Sequence, residues 1–142
     1  MNDPGNKVLV FDSWAMMAYL EGEPAAQTVR QMLRKARKRE LTALFSLINF
    51  GECLYIIERE QGLQEAQRAV SIVDQLPLHV VSVDRSLVFE AARLKARYRI
   101  AYADAFCVAL AKRHDGRIVT GDPEFRAVET EVSVNRLTDR RK

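Results

Sequence analysis

Short runs of β-branched and other apolar residues alternate with helical segments along almost the whole sequence. This alternation is the strongest constraint on the fold. The pattern predicts strands at Val8–Phe11, Leu41–Phe45, Leu78–Val83, Arg117–Thr120 and Val132–Val134. The strands are separated by longer connections, mostly helical in pattern, rather than by two-residue hairpins, and parallel pairing requires such crossovers. The sequence therefore predicts a three-layer α/β/α sandwich with a mainly parallel central sheet.

The helical segments carry their own start and stop signals. Asp12 and Asp84 follow predicted strands and are good helix N-caps, whereas Gly62 and Pro77 end helical runs. No linker, repeat or low-complexity tract interrupts the pattern, and 142 residues are the length of one domain. We therefore predict a single domain over residues 1–142.

Composition excludes several classes of protein. No apolar stretch approaches the roughly 18 residues of a membrane span, and the opening MNDPGNK lacks the features of a signal peptide, so we expect a cytoplasmic protein. Cys53 and Cys107 lie far apart in apolar runs, which indicates reduced, buried thiols rather than a disulfide or a zinc site. The P-loop, dinucleotide-binding, serine-hydrolase and zincin motifs are all missing from the sequence.

Charged residues are scarce in the three most apolar segments, and the few that occur are all acids. Residues 8–20, 41–57 and 100–111 together number 42, among which a 29% charged composition predicts about twelve charged side chains. Only three occur: Asp12, Glu52 and Asp104. A buried carboxylate without a compensating cation or several donors is costly. These positions therefore predict a functional site.

A fourth acid, Asp122, follows its strand just as Asp12 follows the first strand. The carboxyl ends of parallel strands share one edge of the sheet, and ligands bind in the crevice at that edge. We expect Glu52 and Asp104 to reach the same edge from their helices, so that four carboxylates converge. A cluster made only of oxygen ligands suits a hard cation, Mg²⁺ or Mn²⁺.

Most of these acids also have a purely structural explanation. Asp12 and Asp122 could be helix N-caps, and Asp104 could be a first-turn acid that complements a helix dipole. Glu52 resists such an explanation, because its neighbours three and four residues away are apolar or amphipathic. Two other functions stay open: a noncatalytic RNA or protein interaction module, and a phosphatase-like hydrolase, which would carry a second aspartate where this sequence has Trp14.

Many of the basic residues lie in three separate clusters along the sequence. The net charge is +3 and the isoelectric point is about 9.0, which permits a polyanionic partner without demanding one. The clusters lie at residues 30–39, 93–99 and 140–142. Most basic runs are solvated helix faces, so the sequence assigns none of the three to an RNA contact.

Four segments of the sequence resemble a known family. These are VFDSWAMMAYLEGEP, SLINFGECLYII, YADAFCVALAKRHDGRIVTGDPEF and VSVNRL. In this order they resemble the PIN domain and, within it, the VapC-like toxin ribonucleases of prokaryotic toxin-antitoxin pairs. The resemblance covers nearly the whole chain and is most specific in TGDPEF and ADAF. One departure is Arg136, which stands where many relatives have Trp and bears on the packing of the last strand.

The resemblance implies a function, a site and partners. It implies a divalent-metal-dependent endoribonuclease that uses Mg²⁺ or Mn²⁺, cleaves RNA, forms a homodimer and is inhibited by a VapB-like antitoxin. The implied metal-site acids are Asp12, Glu52, Asp104 and Asp122, with the hydroxyls of Thr120 and Ser13 assisting.

Overall fold

Strands and helices alternate along residues 7–138, the part of the chain that the computed structural model describes. In order, they are β1 (Lys7–Phe11), α1 (Ser13–Leu20), α2 (Ala26–Arg37), β2 (Leu41–Ser46), α3 (Leu47–Gln61), α4 (Leu63–Asp74), β3 (His79–Val81), α5 (Arg85–Arg97), α6 (Tyr102–Arg113), β4 (Arg117–Thr120), a short 3-10 helix (Pro123–Val128) and β5 (Ser133–Arg136).

The five strands form one sheet in the order β3-β2-β1-β4-β5, and every neighbouring pair is parallel. β1 lies at the centre, where Leu9 pairs with Ala43 of β2 on one side and with Arg117 of β4 on the other. The predicted α/β/α sandwich with a parallel sheet is confirmed. Because all five strands run the same way, their carboxyl ends share one edge.

Alternation along the strands divides the interior into two cores. Leu9 and Phe11 of β1 point to the face covered by α1, α2 and α3, whereas Val10 points to the face covered by α5 and α6. Cys53 and Cys107 are buried, one in each core, and both are free thiols, as the sequence indicates. The two helical layers therefore hold the sheet from both sides, and α1, α3 and α6 begin near its carboxyl edge.

Some element boundaries differ from the sequence-based prediction. β3 is limited to three residues, because it is an edge strand that pairs only with the end of β2. The segment after Asp122 forms a 3-10 helix rather than an α-helix, and β5 begins at Ser133 rather than at Val132. The basic cluster at 140–142 lies outside the described residues. No helix between residues 7 and 138 is long and apolar enough to cross a membrane.

Candidate metal centre

A crevice of about 450 Å³ opens where β1 and β4 end, and acidic side chains dominate its lining. Its walls carry eight carboxylates: Asp12, Glu21, Glu23, Glu52, Glu60, Asp104, Asp122 and Glu124. Within the described residues, no lysine, arginine or histidine lines this crevice. All four acids singled out in the sequence are thus brought to one place.

Asp12 serves both as a helix cap and as a buried acid of the crevice. Its Oδ1 accepts a 2.8 Å hydrogen bond from the backbone N–H of Ala15, and its Oδ2 accepts one from the Thr120 hydroxyl. Burial raises the pKa of Asp12 to about 7; the two hydrogen bonds oppose this rise, and the charges of Asp122 and Glu52 add to it. The capping explanation is correct but incomplete, because it accounts for only one of the two oxygens.

Thr120 connects the end of β4 to the end of β1. Its hydroxyl donates to Asp12 and accepts a 2.9 Å hydrogen bond from the backbone N–H of Asp122. Asp122 in turn caps the 3-10 helix, since its Oδ1 accepts from the backbone N–H of Glu124 at 2.9 Å. Arg136 donates to the backbone carbonyl of Asp122 at 3.1 Å. The loop that carries Asp122 is therefore fixed from both sides.

A polar network holds Glu52, and no cation between residues 7 and 138 pairs with it. The Ser13 hydroxyl donates to Glu52 Oε1, and Asn49 Nδ2 donates to Ser13 Oγ and to the carbonyl of Ala103, each at 3.2 Å. Asn49 is fully buried, and its Oδ1 has no hydrogen-bond partner within residues 7–138. One amide thus joins the residue after Asp12, the helix of Glu52 and the residue before Asp104.

Asp104 and Glu124 form a carboxyl pair on the other wall of the crevice. Burial raises the pKa of Asp104, and its hydrogen bond with Glu124 and the charge of Asp12 raise it further. The same hydrogen bond lowers the pKa of Glu124, whose Oε1 also accepts from the Ala101 N–H at 2.9 Å. Carboxylate oxygens of Asp104, Asp122 and Glu124 lie within 4.8 Å of one another.

The side chains present fit a hard divalent cation. All candidate ligands are carboxylate oxygens, which Mg²⁺ and Mn²⁺ prefer. The raised pKa values of Asp12 and Asp104 reflect burial beside other acids, and a bound cation would reverse this effect. The crevice therefore has the chemistry of a metal site with an uncompensated negative charge.

Sequence reasoning does not find Glu21, Glu23 and Glu60 on the crevice walls, nor Glu124 and Asn49, which contact the predicted site residues. Glu124 belongs to the TGDPEF segment, where its local spacing does not distinguish it from an ordinary acid at the start of a helix. Asn49 interrupts the otherwise apolar stretch LINF, and this isolated polar residue was the available signal. Its partners, Ser13 and Ala103, are 36 and 54 residues away, so local spacing could not reveal them.

Gly121 allows β4 and α1 to approach closely at the rim of the crevice. A Cβ atom built at this position would lie 2.3 Å from the Trp14 ring, far inside any normal contact. Trp14 lines the crevice. Any larger residue at this position would therefore have to displace the indole.

The fold and the crevice together define a parallel α/β protein with an acidic pocket at the carboxyl edge of its sheet. The sequence profile of the PIN domain matches residues 9–131, so the chain belongs to the PIN domain family. A search of curated protein sequences finds no match.

Solved structures share this fold at low sequence identity. VapBC2 from Rickettsia felis, bound to a DNA fragment from its promoter, superposes with a TM-score of 0.73 at 12% identity, covering 92% of this chain and 99% of that chain. DNA-bound VapBC from Salmonella typhimurium gives 0.73 at 15% identity, covering 92% and 98%. VapC20 from Mycobacterium tuberculosis, a toxin that cleaves the sarcin-ricin loop, gives 0.67 at 19% identity, covering 86% and 95%.

Proposed function

We propose that the chain is a divalent-metal-dependent endoribonuclease that acts as the toxin of a toxin-antitoxin pair. The observation that carries this proposal is the convergence of Asp12, Glu52, Asp104 and Asp122 in one crevice of a PIN fold. The structural similarity to VapBC complexes and to an RNA-cleaving toxin supports it. RNA is the proposed substrate, Mg²⁺ or Mn²⁺ the proposed cofactor and the cytoplasm the proposed location.

Asp12, Asp104 and Asp122 would hold the cation, with Glu52 completing the shell. The geometry adds Glu124, whose carboxylate lies beside those of Asp104 and Asp122. When bound, the cation supplies an activated water and offsets negative charge that develops on the scissile phosphate.

The other residues of the crevice act by holding these acids in place. Thr120 fixes one oxygen of Asp12, and Ser13 fixes one oxygen of Glu52. Because the Thr120 hydroxyl donates to the Asp12 carboxylate, it opposes the rise in the pKa of Asp12 and favours the ionised form that a cation requires. Asn49 keeps the two sides of the crevice in register through its bonds to Ser13 and Ala103.

The charge of the crevice also supports a proteinaceous inhibitor. Eight carboxylates without a lysine or arginine among the described lining residues would strongly hold a guanidinium or ammonium group from a partner. We therefore include a VapB-like antitoxin, with a basic side chain in the crevice, in the proposal.

A homodimer is the other proposed assembly. Leu47 and Tyr55 of α3 are 46% and 50% exposed, and Phe89 of α5 is 55% exposed. The homodimer is the assembly that the family resemblance implies, and a second subunit would cover some of these exposed side chains.

The enzymatic part is tested by incubating the purified protein with RNA in Mg²⁺, in Mn²⁺ and in excess chelator. We expect cleavage only with metal, and we expect Asp122→Asn to lose most activity while its circular dichroism spectrum is unchanged. Asp84→Asn, which alters an exposed helix cap outside the crevice, is the control and should cleave like wild type. Cleavage that persists in chelator would overturn the metal mechanism. Metal-bound protein that binds RNA without cutting it would support the noncatalytic module instead.

The toxin part is tested by expressing the chain alone. Wild type should arrest growth, Asp104→Asn should not, and co-expression of an antitoxin should restore growth. Harmless expression of a wild-type protein that cuts RNA in vitro would refute the toxin assignment and leave the nuclease assignment intact.

A further inference from the structure

The helix α2 carries a group of cations that the fold leaves unneutralised. Residues 24–39 contain no acid, and their six cations are exposed and form no ion pair within residues 7–138: Arg30, Arg34, Lys35, Arg37, Lys38 and Arg39. By contrast, Lys112 and Arg97 near the α5–α6 surface pair with Glu131, and Arg113 pairs with Asp84. Six cations on α2 and just after it are therefore left without a neutralising acid in the described part of the chain.

Three of these cations line a groove, which we call the arginine groove. Arg30, Arg34 and Arg37 lie along one side of α2, and Tyr19, Leu33, Leu76 and Pro77 complete a concavity of about 190 Å³. No acid lines the arginine groove in the described part of the chain. Tyr19 is half-buried, and its hydroxyl makes no hydrogen bond with residues 7–138.

The composition of the arginine groove matches a surface for single-stranded nucleic acid. Like charges three and four residues apart destabilise a helix, so an anion bound across these arginines would reduce their repulsion and stabilise α2. Cations that follow a phosphate backbone, beside an aromatic ring on which a base stacks, are the usual elements of such surfaces. Cations in the last turn of a helix stabilise its dipole, which could explain Arg34 and Arg37. Arg30 lies two turns from the end of α2, so the dipole does not explain it.

The position of the groove relates it to the crevice. α1 lies between the crevice and the groove: Trp14, Met17 and Ala18 line the crevice, whereas Tyr19, on the opposite side of the helix, lines the groove. The crevice itself repels phosphates, because its described lining consists of carboxylates without cations. Binding energy for a polyanionic substrate must therefore come from a neighbouring surface.

We propose that a single-stranded segment of the substrate RNA, which passes around α1 from the crevice, lies in the arginine groove. Its phosphates contact Arg30, Arg34 and Arg37, and one base stacks on Tyr19. This inference rests on the proposed ribonuclease function, because it assigns the surface that holds that substrate.

The test measures RNA affinity separately from cleavage. Binding of a labelled single-stranded RNA is followed by fluorescence anisotropy in chelator over a range of salt concentrations, for wild type and for the triple variant Arg30→Gln, Arg34→Gln and Arg37→Gln. Removing three phosphate contacts should lower the slope of log affinity against log salt by about 2. The control triple variant Arg93→Gln, Arg97→Gln and Arg99→Gln removes the same charge from the end of α5 and should keep the wild-type slope.

Tyr19→Leu provides a second measurement, because it removes stacking without changing charge. We expect roughly tenfold weaker binding with an unchanged salt slope. In Mg²⁺, the arginine variant should raise the KM for long RNA while kcat is retained, and an oligoribonucleotide that fills only the crevice should be cut as by wild type. A wild-type salt slope in the α2 variant, or an equal loss in the α5 control, would overturn the inference.

The proposed function and this inference fail in different ways. Absence of metal-dependent cleavage for RNA of any length refutes the nuclease assignment, whereas the binding experiment in chelator involves no cleavage. If the triple variant of Arg30, Arg34 and Arg37 binds and cuts long RNA like wild type, only the assignment of RNA binding to the arginine groove is refuted.

Discussion

Asp12 and Asp84 form a matched pair of aspartates whose substitution by asparagine should change the pH dependence of stability for Asp12 and leave it unchanged above pH 4 for Asp84. Each caps a helix through a hydrogen bond from the backbone N–H three residues later, to Ala15 at 2.8 Å and to Leu87 at 2.7 Å. Asparagine caps as well as aspartate. The two residues differ in their surroundings: Asp12 is buried beside other acids, whereas Asp84 is exposed beside Arg113.

The magnitude follows from the pKa of Asp12, which burial raises from 3.8 to about 7 in the folded protein. Between these values the folded state binds more protons than the unfolded state, so stability falls as the pH rises through this window. A pKa shift of about three units corresponds to about 4 kcal/mol. Residual structure in the unfolded state reduces this free-energy difference. Asp12→Asn abolishes this loss, so its free energy of unfolding relative to wild type should increase by up to about 4 kcal/mol between pH 4 and pH 8.

Urea unfolding in chelator at a series of pH values measures this difference at constant protein concentration. A constant offset, from the altered contact with Thr120, leaves the pH-dependent part unaffected. Asp84→Asn should show no such trend, because the Arg113 guanidinium lowers the pKa of Asp84 and its contribution is lost only on acidification below pH 4. If the Asp12→Asn difference is as flat as that of Asp84→Asn between pH 4 and pH 8, the idea of an uncompensated buried carboxylate is wrong.

Three further predictions concern other residues of the crevice. Asp104→Asn should raise the melting temperature of the metal-free protein by a few degrees and remove most of the stabilisation by metal, which for wild type should be about 2.7 kcal/mol at one hundred times the Kd. Thermal melts with chelator and with Mn²⁺ measure both effects, and an unshifted wild type would contradict a metal site. Asn49→Ala should weaken Mn²⁺ binding at least tenfold by calorimetry, because residues that orient ligands have effects of this size; unchanged affinity would make Asn49 merely structural. Gly121→Ala should lower the free energy of unfolding by about 1–3 kcal/mol, because its Cβ meets the Trp14 ring; a neutral substitution would show that the indole can move.

The parts of this protein that follow local rules could be predicted from its sequence. Strand-helix alternation indicated the parallel sheet, and the placement of Asp12 and Asp122 after strands put them at the same edge. The order of the strands could not be read in this way, since it depends on which hydrophobic faces meet. Glu124 and Asn49 were missed for the same reason, because their roles come from partners distant in sequence, as Asn49 shows with Ser13 and Ala103.

The strand order has a consequence for a chain that is made from its N-terminus. β1 pairs with β2, which follows it closely in the sequence, and with β4, which is made much later. The hydrogen bond from Thr120 to Asp12 can therefore form only after more than one hundred further residues have been made. Until β4 is inserted, Asp122 and Glu124 are also missing from the crevice. During synthesis, which releases N-terminal segments first, a nascent chain lies close to the RNA of the ribosome that makes it. Under the proposed function, such an unfinished chain would lack the acids and the hydroxyl that β4 and the segment after it bring to the crevice.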